Sequence, residues 1–202
     1  MERCGEIPVE RHPLEPFIPE GARILMLGSF PPKRERWSMD FFYPNFNNDM
    51  WRIFGLVFYD DRSFFTVSDG KRFDKVKITD FCTEKGIALY DTASEIRRLQ
   101  DNASDKFLEI VSPADIGALL ARMPGCKAIV TTGQKAAETA AAYFGCPVPS
   151  PGTFTETTWK DDKGQSSPLR LWRMPSSSRA YPLSLEKKAE TYRRMFVSES
   201  II

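Results

Sequence analysis

The chain has 202 residues and a mass of 23.0 kDa, the size of one ordinary domain that buries a core without disulfide staples. Hydrophobic residues make up 42% and charged residues 27%, and 28 Lys and Arg against 27 Asp and Glu leave a formal net charge of +1, which excludes disorder, collagen and coiled coil. The same balance excludes a partner gripped by bulk electrostatics alone, so any contact with nucleic acid needs a local basic face and specific loops.

Met1 to Glu20 is charged and proline-bearing rather than apolar, and reads as an N-terminal extension of a single domain spanning 1–202. Arg23-Ile24-Leu25-Met26-Leu27 is a short apolar run with strand character, ending at Gly28-Ser29-Phe30-Pro31-Pro32, where prolines forbid a ladder. In Asp49 to Val57, residues Met50, Ile53, Phe54 and Val57 fall at helical spacing, with Asn47 or Asn48 as N-cap. Tyr59 to Thr83 has no clean period and predicts an irregular or short-helical excursion. Gly86 to Asp91 is a buried apolar run that stops at a carboxylate. Ser112-Pro113-Ala114-Asp115 has capping spacing with proline at the first helical position, and Ile116, Leu119, Leu120 and Met123 supply an apolar face. Cys126 to Thr132 reads as a strand, Gly133 as its exit, and Gln134 to Phe144 as an alanine-rich helix closed by Gly145. Thr153 to Trp159 is β-rich, Lys160 to Gln165 a polar turn, and Leu169 to Arg173 a strand leading to Met174-Pro175-Ser176-Ser177-Ser178-Arg179. A basic helix over Ser184 to Val197 follows. The β-α-β-α order predicts an α/β three-layer sandwich, a mainly parallel central sheet flanked by helices.

Cys4, Cys82, Cys126 and Cys146 form no C-x-x-C pair, and His12 is the only histidine, so no metal site and no cofactor is expected. No run has the length to span a bilayer, and the chain reads as cytoplasmic with reduced thiols, where the sequon-like Asn102-Ala103-Ser104 has no meaning.

Ligands of open parallel sheets collect at the carboxyl ends of the strands, and three such ends are unusual here: Gly28 to Pro32, Tyr90-Asp91 and Met174 to Arg179. Each alone is compatible with a plain turn or a helix cap. Phe41 to Trp51 combines five aromatic rings with three asparagines. It suits either a helix entry over an aromatic core or a pocket that stacks a planar ring and orients its polar atoms.

Taken together, Gly28-Ser29-Phe30-Pro31, Tyr43-Pro44, Asn48-Asp49-Met50-Trp51, Gly86 to Asp91, Gly133 and Met174-Pro175-Ser176-Ser177-Ser178 resemble the uracil-DNA glycosylase superfamily in order and spacing. The likeness runs from about Arg23 to Phe196. It is nearest to the hypoxanthine-DNA glycosylase and mismatch-specific thymine/uracil-DNA glycosylase branches. It implies hydrolysis of the N-glycosidic bond of a deaminated base, uracil or hypoxanthine, flipped from DNA at the start of base-excision repair, without cofactor or metal.

The departures are informative. Phe30 stands where many relatives keep a water-positioning amide or carboxylate, and Met174 where one branch keeps a histidine. In the hypoxanthine branch the asparagine three positions before the tryptophan takes over, which here is Asn48, with Asp49 as its immediate competitor. An amide is no base, but its oxygen orients an attacking water, and a nearby carboxylate would stabilise oxocarbenium-like charge on the sugar. Gly28, Ser29, Phe30, Tyr43 and Asp91 would form the base pocket. Asp91 reads the Watson–Crick edge unless it caps a following helix through Thr92 and Ala93, and Tyr43 or Phe42 stacks on the base unless it is core filling. Ser176, Ser177, Ser178 and Arg179 would bind DNA, the serines at phosphates and Arg179 in the space left by the extruded nucleotide. Lys33, Arg34 and Arg36, with Lys187, Lys188, Arg193 and Arg194, form basic clusters that either face DNA or are solvated. Two other readings compete: a catalytically silent binder of damaged or single-stranded nucleic acid, and a small-molecule nucleotide hydrolase, the latter without a G-x-x-x-x-G-K loop.

Overall fold

In the central strands both residue parities are apolar, and in the computed structural model each parity packs under a different helical layer. Residues 7–100 and 107–202 are described, so Cys4 and Asn102-Ala103-Ser104 lie outside the described residues. In chain order the elements are β1 (Val9–Arg11), β2 (Ile24–Gly28), α1 (Met50–Tyr59), α2 (Lys75–Lys85), β3 (Ile87–Asp91), β4 (Ala93–Arg98) and β5 (Leu108–Pro113). They continue with α3 (Ile116–Ala121), β6 (Ala128–Thr132), α4 (Gln134–Phe144), β7 (Thr153–Lys160), β8 (Ser166–Met174) and α5 (Leu185–Ser198). Among the described residues no helix is long and apolar enough to cross a membrane.

The main sheet has the order β3-β2-β6-β8-β7, parallel except for β7, which returns antiparallel on β8. Ile24, Met26, Ile87, Leu89, Val130, Trp172 and Met174 point to one side and pack with α1, α2 and α5. Leu25, Leu27, Ala88, Ile129 and Leu171 point to the other and pack with α3 and α4. The two-residue period of a pleated strand thereby builds the three-layer sandwich. On the first side Phe54 is fully buried among the rings of Trp51, Phe58, Phe81 and Phe196, which lock α1 to α2 and α5.

A second, three-stranded sheet of order β1-β4-β5 stands beside the first. The N-terminal extension enters it: β1 pairs antiparallel with β4, and Phe17 then bonds Leu89 of β3 in both directions, at 3.0 and 2.9 Å. Glu10 of β1 takes a two-pronged bond from Arg98 of β4, whose guanidinium also reaches Pro31 O.

Three local expectations change. Residues 75–85 form a full helix rather than an irregular excursion, because the Asp74 carboxylate caps Lys77 N–H and Ile78, Phe81 and Cys82 provide a narrow buried stripe that the surrounding lysines obscure. Ser112 and Pro113 end β5, where the Ser94 hydroxyl bonds their carbonyls, and α3 begins later with Asp115 as the cap on Ala118 N–H. The residues after Asp91 form β4, so Asp91 has no following helix to cap. Truncating Phe54 to alanine should lower stability by about 3–5 kcal/mol, read as a drop in the urea midpoint with the slope retained.

Candidate active site

Parallel register brings the ends of the central strands level. Gly28 is opposite Asp91 across β2 and β3, and Thr132 is opposite Met174 across β6 and β8. Because β2 lies between β3 and β6, the chain leaves it at the switch point of the sheet, where a crevice forms. The crevice is a cavity of about 680 Å3 lined by the loop after β2, Phe42 to Asn45, Asn47, Asn48, Asp91, Thr132 and the loop Ser176 to Pro182, with Arg36, Arg98 and Leu108.

The residues singled out in the sequence take distinct places. Gly28 is there because nothing larger fits: a Cβ would lie 2.3 Å from Asp91 Oδ1. Its carbonyl is held by both the backbone N–H and the hydroxyl of Thr92, at 2.9 and 3.1 Å. Ser29 is buried in the wall. Phe30 lines the cavity and packs against Ala93, Ile96 and Leu108, so its ring anchors the small sheet. Tyr43 sits at φ 49°, a strained conformation for a tyrosine, and its hydroxyl is pinned 3.0 Å from Thr132 Oγ1. Phe42 is buried, edge-on to Phe41 and Tyr90, and is mostly core filling, although it, Phe30, Tyr43 and Tyr181 all contribute to the lining of the cavity.

Asn48 lines the cavity and is gripped on every side. Its N–H bonds Asn45 O at 2.8 Å, its side-chain Oδ1 accepts Met50 N–H at 2.8 Å, and its carbonyl takes a 3.0 Å bond from Arg52. Arg52 also reaches Phe46 O and lies over the Phe46 ring, and burial lowers its pKa from the usual guanidinium value. Asn48 forms an antiparallel bridge with Ser178, and Asp49 N–H bonds Ser177 O at 2.9 Å, so the asparagine loop and the serine loop are zipped together. The N-cap position is Asp49 rather than Asn47 or Asn48, and Asn48 reaches Met50 N–H from the residue before it; an amide oxygen has two lone pairs, and this bond uses one.

Asp49, the competitor, has both oxygens engaged: Arg179 Nε is 3.2 Å from Oδ1 and Lys188 Nζ 3.0 Å from Oδ2. Lys188 also donates to Ser178 O at 2.7 Å and is only 1% exposed. The last helix therefore turns Lys188 inward, out of any solvated or ligand-facing row, whereas Arg193 stays exposed and bonds Leu56 O. Arg34 pairs with Asp40 and lies over the Trp37 ring. Arg179 reaches Asn47 as well, at 3.4 Å, and stays half exposed at the rim. Ser176 and Ser178 hydroxyls accept Ser178 N–H and Ala180 N–H, which leaves their own O–H free to donate outward. Ser177 is buried and serves as the anchor on Asp49.

Two site residues had no signal in the sequence. Thr132 is a strand-terminal threonine like many others, yet it fixes Tyr43. His12 lies in the N-terminal extension, and its Nε2 is 2.9 Å from Asp91 Oδ2. No group of three or more His, Cys, Asp or Glu with metal-site geometry occurs among the described residues.

No protein-family model matches the chain, and no curated protein matches its sequence. Its fold is similar to that of the solution NMR structure of a "putative uracil DNA glycosylase" from Methanosarcina acetivorans, with a TM-score of 0.62, 20% identity, and coverage of 96% of this chain and 99% of that one. Lys188→Met should cost about 3 kcal/mol, since removing one partner of a buried charge cluster leaves Asp49 under-compensated. A chemical denaturation curve checks this, and an unchanged midpoint would show that Arg179 alone satisfies Asp49.

Proposed function

We propose that this protein is a monofunctional DNA N-glycosylase that hydrolyses the bond between sugar and a deaminated base, uracil or hypoxanthine, flipped out of DNA. The observation that carries the reading is the clamp on Asn48: a neutral amide held at the wall of a cavity wide enough for one base, a wall it shares with the strained Tyr43 and with Asp91. The fold likeness over 96% of the chain supports it, as does the motif order, which is nearest the hypoxanthine and mismatch-specific branches.

In this reading Tyr43 stacks on the extruded base and Asp91 accepts a hydrogen bond from its edge. The C1′–N bond breaks with its electron pair leaving on the base. A water held by the remaining lone pair of Asn48 Oδ1 adds its oxygen to C1′, and its proton passes through solvent to the departed base. A rigid amide suffices because the water needs orientation more than deprotonation once the sugar is cationic. The hydroxyls of Ser176 and Ser178 donate to backbone phosphates. Arg179 and Lys188 against Asp49 leave one net positive charge beneath them, so the grip is local, as a chain of net charge +1 requires. Burial pushes the Cys126 thiol up to about 12, which keeps it protonated and unreactive.

A silent nucleic-acid binder remains the second reading, favoured by one observation: Asn48 Oδ1 already accepts Met50 N–H. Base release from duplexes carrying uracil, hypoxanthine, xanthine, or thymine opposite guanine separates the two, and no release from any of them would leave the binder. Asn48→Ala should lose about 1 kcal/mol of stability with that hydrogen bond, yet slow single-turnover release by about a hundredfold or more while duplex affinity survives. Arg179→Ala should weaken duplex binding and flatten its salt dependence, measured by titration across salt concentrations.

A further inference from the structure

His12 is the only histidine in the chain, and the mechanism above does not use it. Its side chain is 2% exposed and is enclosed by the rings of Phe30, Phe42 and Tyr90, with centroids at 5.2, 6.2 and 4.6 Å. It lies behind Asp91, outside the lining of the cavity. An ionised carboxylate has no proton to give, so in the 2.9 Å contact with Asp91 Oδ2 the Nε2–H is the donor. The other ring nitrogen, Nδ1, is 2.8 Å from Leu14 O and 3.2 Å from Leu14 N, so the main chain orients the ring by donor or by acceptor. The backbone of His12 is itself tied down, its N–H bonding Ser94 O at 2.8 Å immediately after β1 joins β4. This leaves Asp91 Oδ1, which hangs over Gly28 at the floor of the cavity.

We propose that His12 is a positioning residue for base selection. By occupying Oδ2 it fixes the rotation of the Asp91 carboxylate and presents Oδ1 alone to the cavity as a single anionic acceptor. Such an acceptor pairs with a base whose ring nitrogen carries a hydrogen, the lactam edge of uracil or hypoxanthine. It repels one whose corresponding nitrogen offers a lone pair, as in cytosine or adenine. The hydrogen bond from Nε2 also withdraws negative charge from the carboxylate, which would otherwise oppose a base departing as an anion. The role rests on the glycosylase reading for its substrate, but the selection itself is readable without any hydrolysis.

The test uses the full chain, free of added histidines, with duplexes carrying one 2′-fluorinated deoxyuridine or deoxyinosine, whose fluorine keeps the glycosidic bond intact, or 2′-fluorinated deoxycytidine. The parent protein should bind at least one lactam duplex tenfold or more tightly than the cytidine duplex. His12→Phe, which keeps a ring among the aromatics and removes the donor, should lose that preference. His12→Gln, whose amide nitrogen reaches the place of Nε2, should restore it to within about threefold. With imidazole nitrogens labelled, the one histidine gives one set of signals, and its Nε2–H resonance should move with a lactam duplex and stay put with the cytidine duplex. That measurement needs no variant to fold. A parent without preference, a His12→Phe that keeps it, a folded His12→Gln that lacks it, or equal resonance shifts with both duplexes would each overturn the proposal. Preference without base release from the cleavable duplexes would instead overturn the glycosylase reading and leave His12 in its role.

Discussion

Gly28 and Asp91 are register partners at the ends of adjacent parallel strands, and the carboxylate occupies the volume that a Cβ at Gly28 would need. Strand spacing is fixed by the ladder, so a side chain can lean across its neighbour only where the neighbour has none. From that close approach follow the floor of the cavity, the direction of Oδ1 and the space behind the carboxylate into which His12 fits. The loop after β2 then leaves over the small sheet, with Phe30 packed on Ala93, Ile96 and Leu108, and Arg98 of that sheet bonds back to Pro31. The second sheet is thus the outer wall of the cavity, and the N-terminal strand is part of it.

The opposite wall depends on a buried charge cluster. Asp49 receives Arg179 from the serine loop and Lys188 from α5, while its N–H and the neighbouring Asn48 pair with Ser177 and Ser178. Ions taken out of water are costly, and the buried pair of Lys188 and Asp49 is tolerated because their protons and lone pairs find partners: Lys188 makes a second donation, to Ser178 O, and Asp49 takes Arg179, whose own guanidinium stays half exposed. The gain is geometric: the helix that begins at Met50, the loop that ends β8 and the last helix meet at one carboxylate, so Asn48 cannot drift relative to Ser176 and Ser178. Asp49 therefore holds the two loops and the last helix together and, unlike Asn48, does not line the cavity.

The main sheet and most of its helices were legible because their signals are local. Ile24 to Gly28, Ile87 to Asp91, Ala128 to Thr132, and the helix from Gln134 to Phe144 with its Gly145 stop all carry apolar runs or caps that need no tertiary information. What escaped the sequence is relational. The small sheet is built from charged strands such as Val9-Glu10-Arg11 and Ala93 to Arg98, whose pairing comes from ladders between residues some eighty positions apart and not from a hydrophobic pattern. Lys188 reads as one more surface base on a basic helix, because nothing in the order of residues reveals that its face of the helix looks at Asp49. Pro113 after Ser112 reads as a helix start, although an edge strand accommodates a terminal proline equally well. Among the site residues, those at strand ends could be found from punctuation, whereas His12 and Thr132 gain meaning only from what they touch.

On the glycosylase reading, the charge at Asp91 raises a physical difficulty that the N-terminal extension resolves. A base leaving its sugar takes the bonding pair and becomes an anion, and two unit negative charges about 4 Å apart repel by about 4 kcal/mol at an effective dielectric constant of about 20. A repulsion of that size would cancel about three powers of ten in rate. A bare carboxylate would then select the correct base in the ground state and resist its departure in the transition state, the reverse of what a catalyst needs. Sharing a proton donor between the carboxylate and a histidine reduces the charge felt at Oδ1 without removing the acceptor that reads the ring N–H. The main-chain contacts of Nδ1 at Leu14 and the enclosing rings of Phe30, Phe42 and Tyr90 keep the imidazole from turning away as the charge develops. In the proposed role, His12, directly after β1, supplies the donor that makes selection by a carboxylate and release of an anion compatible in one pocket.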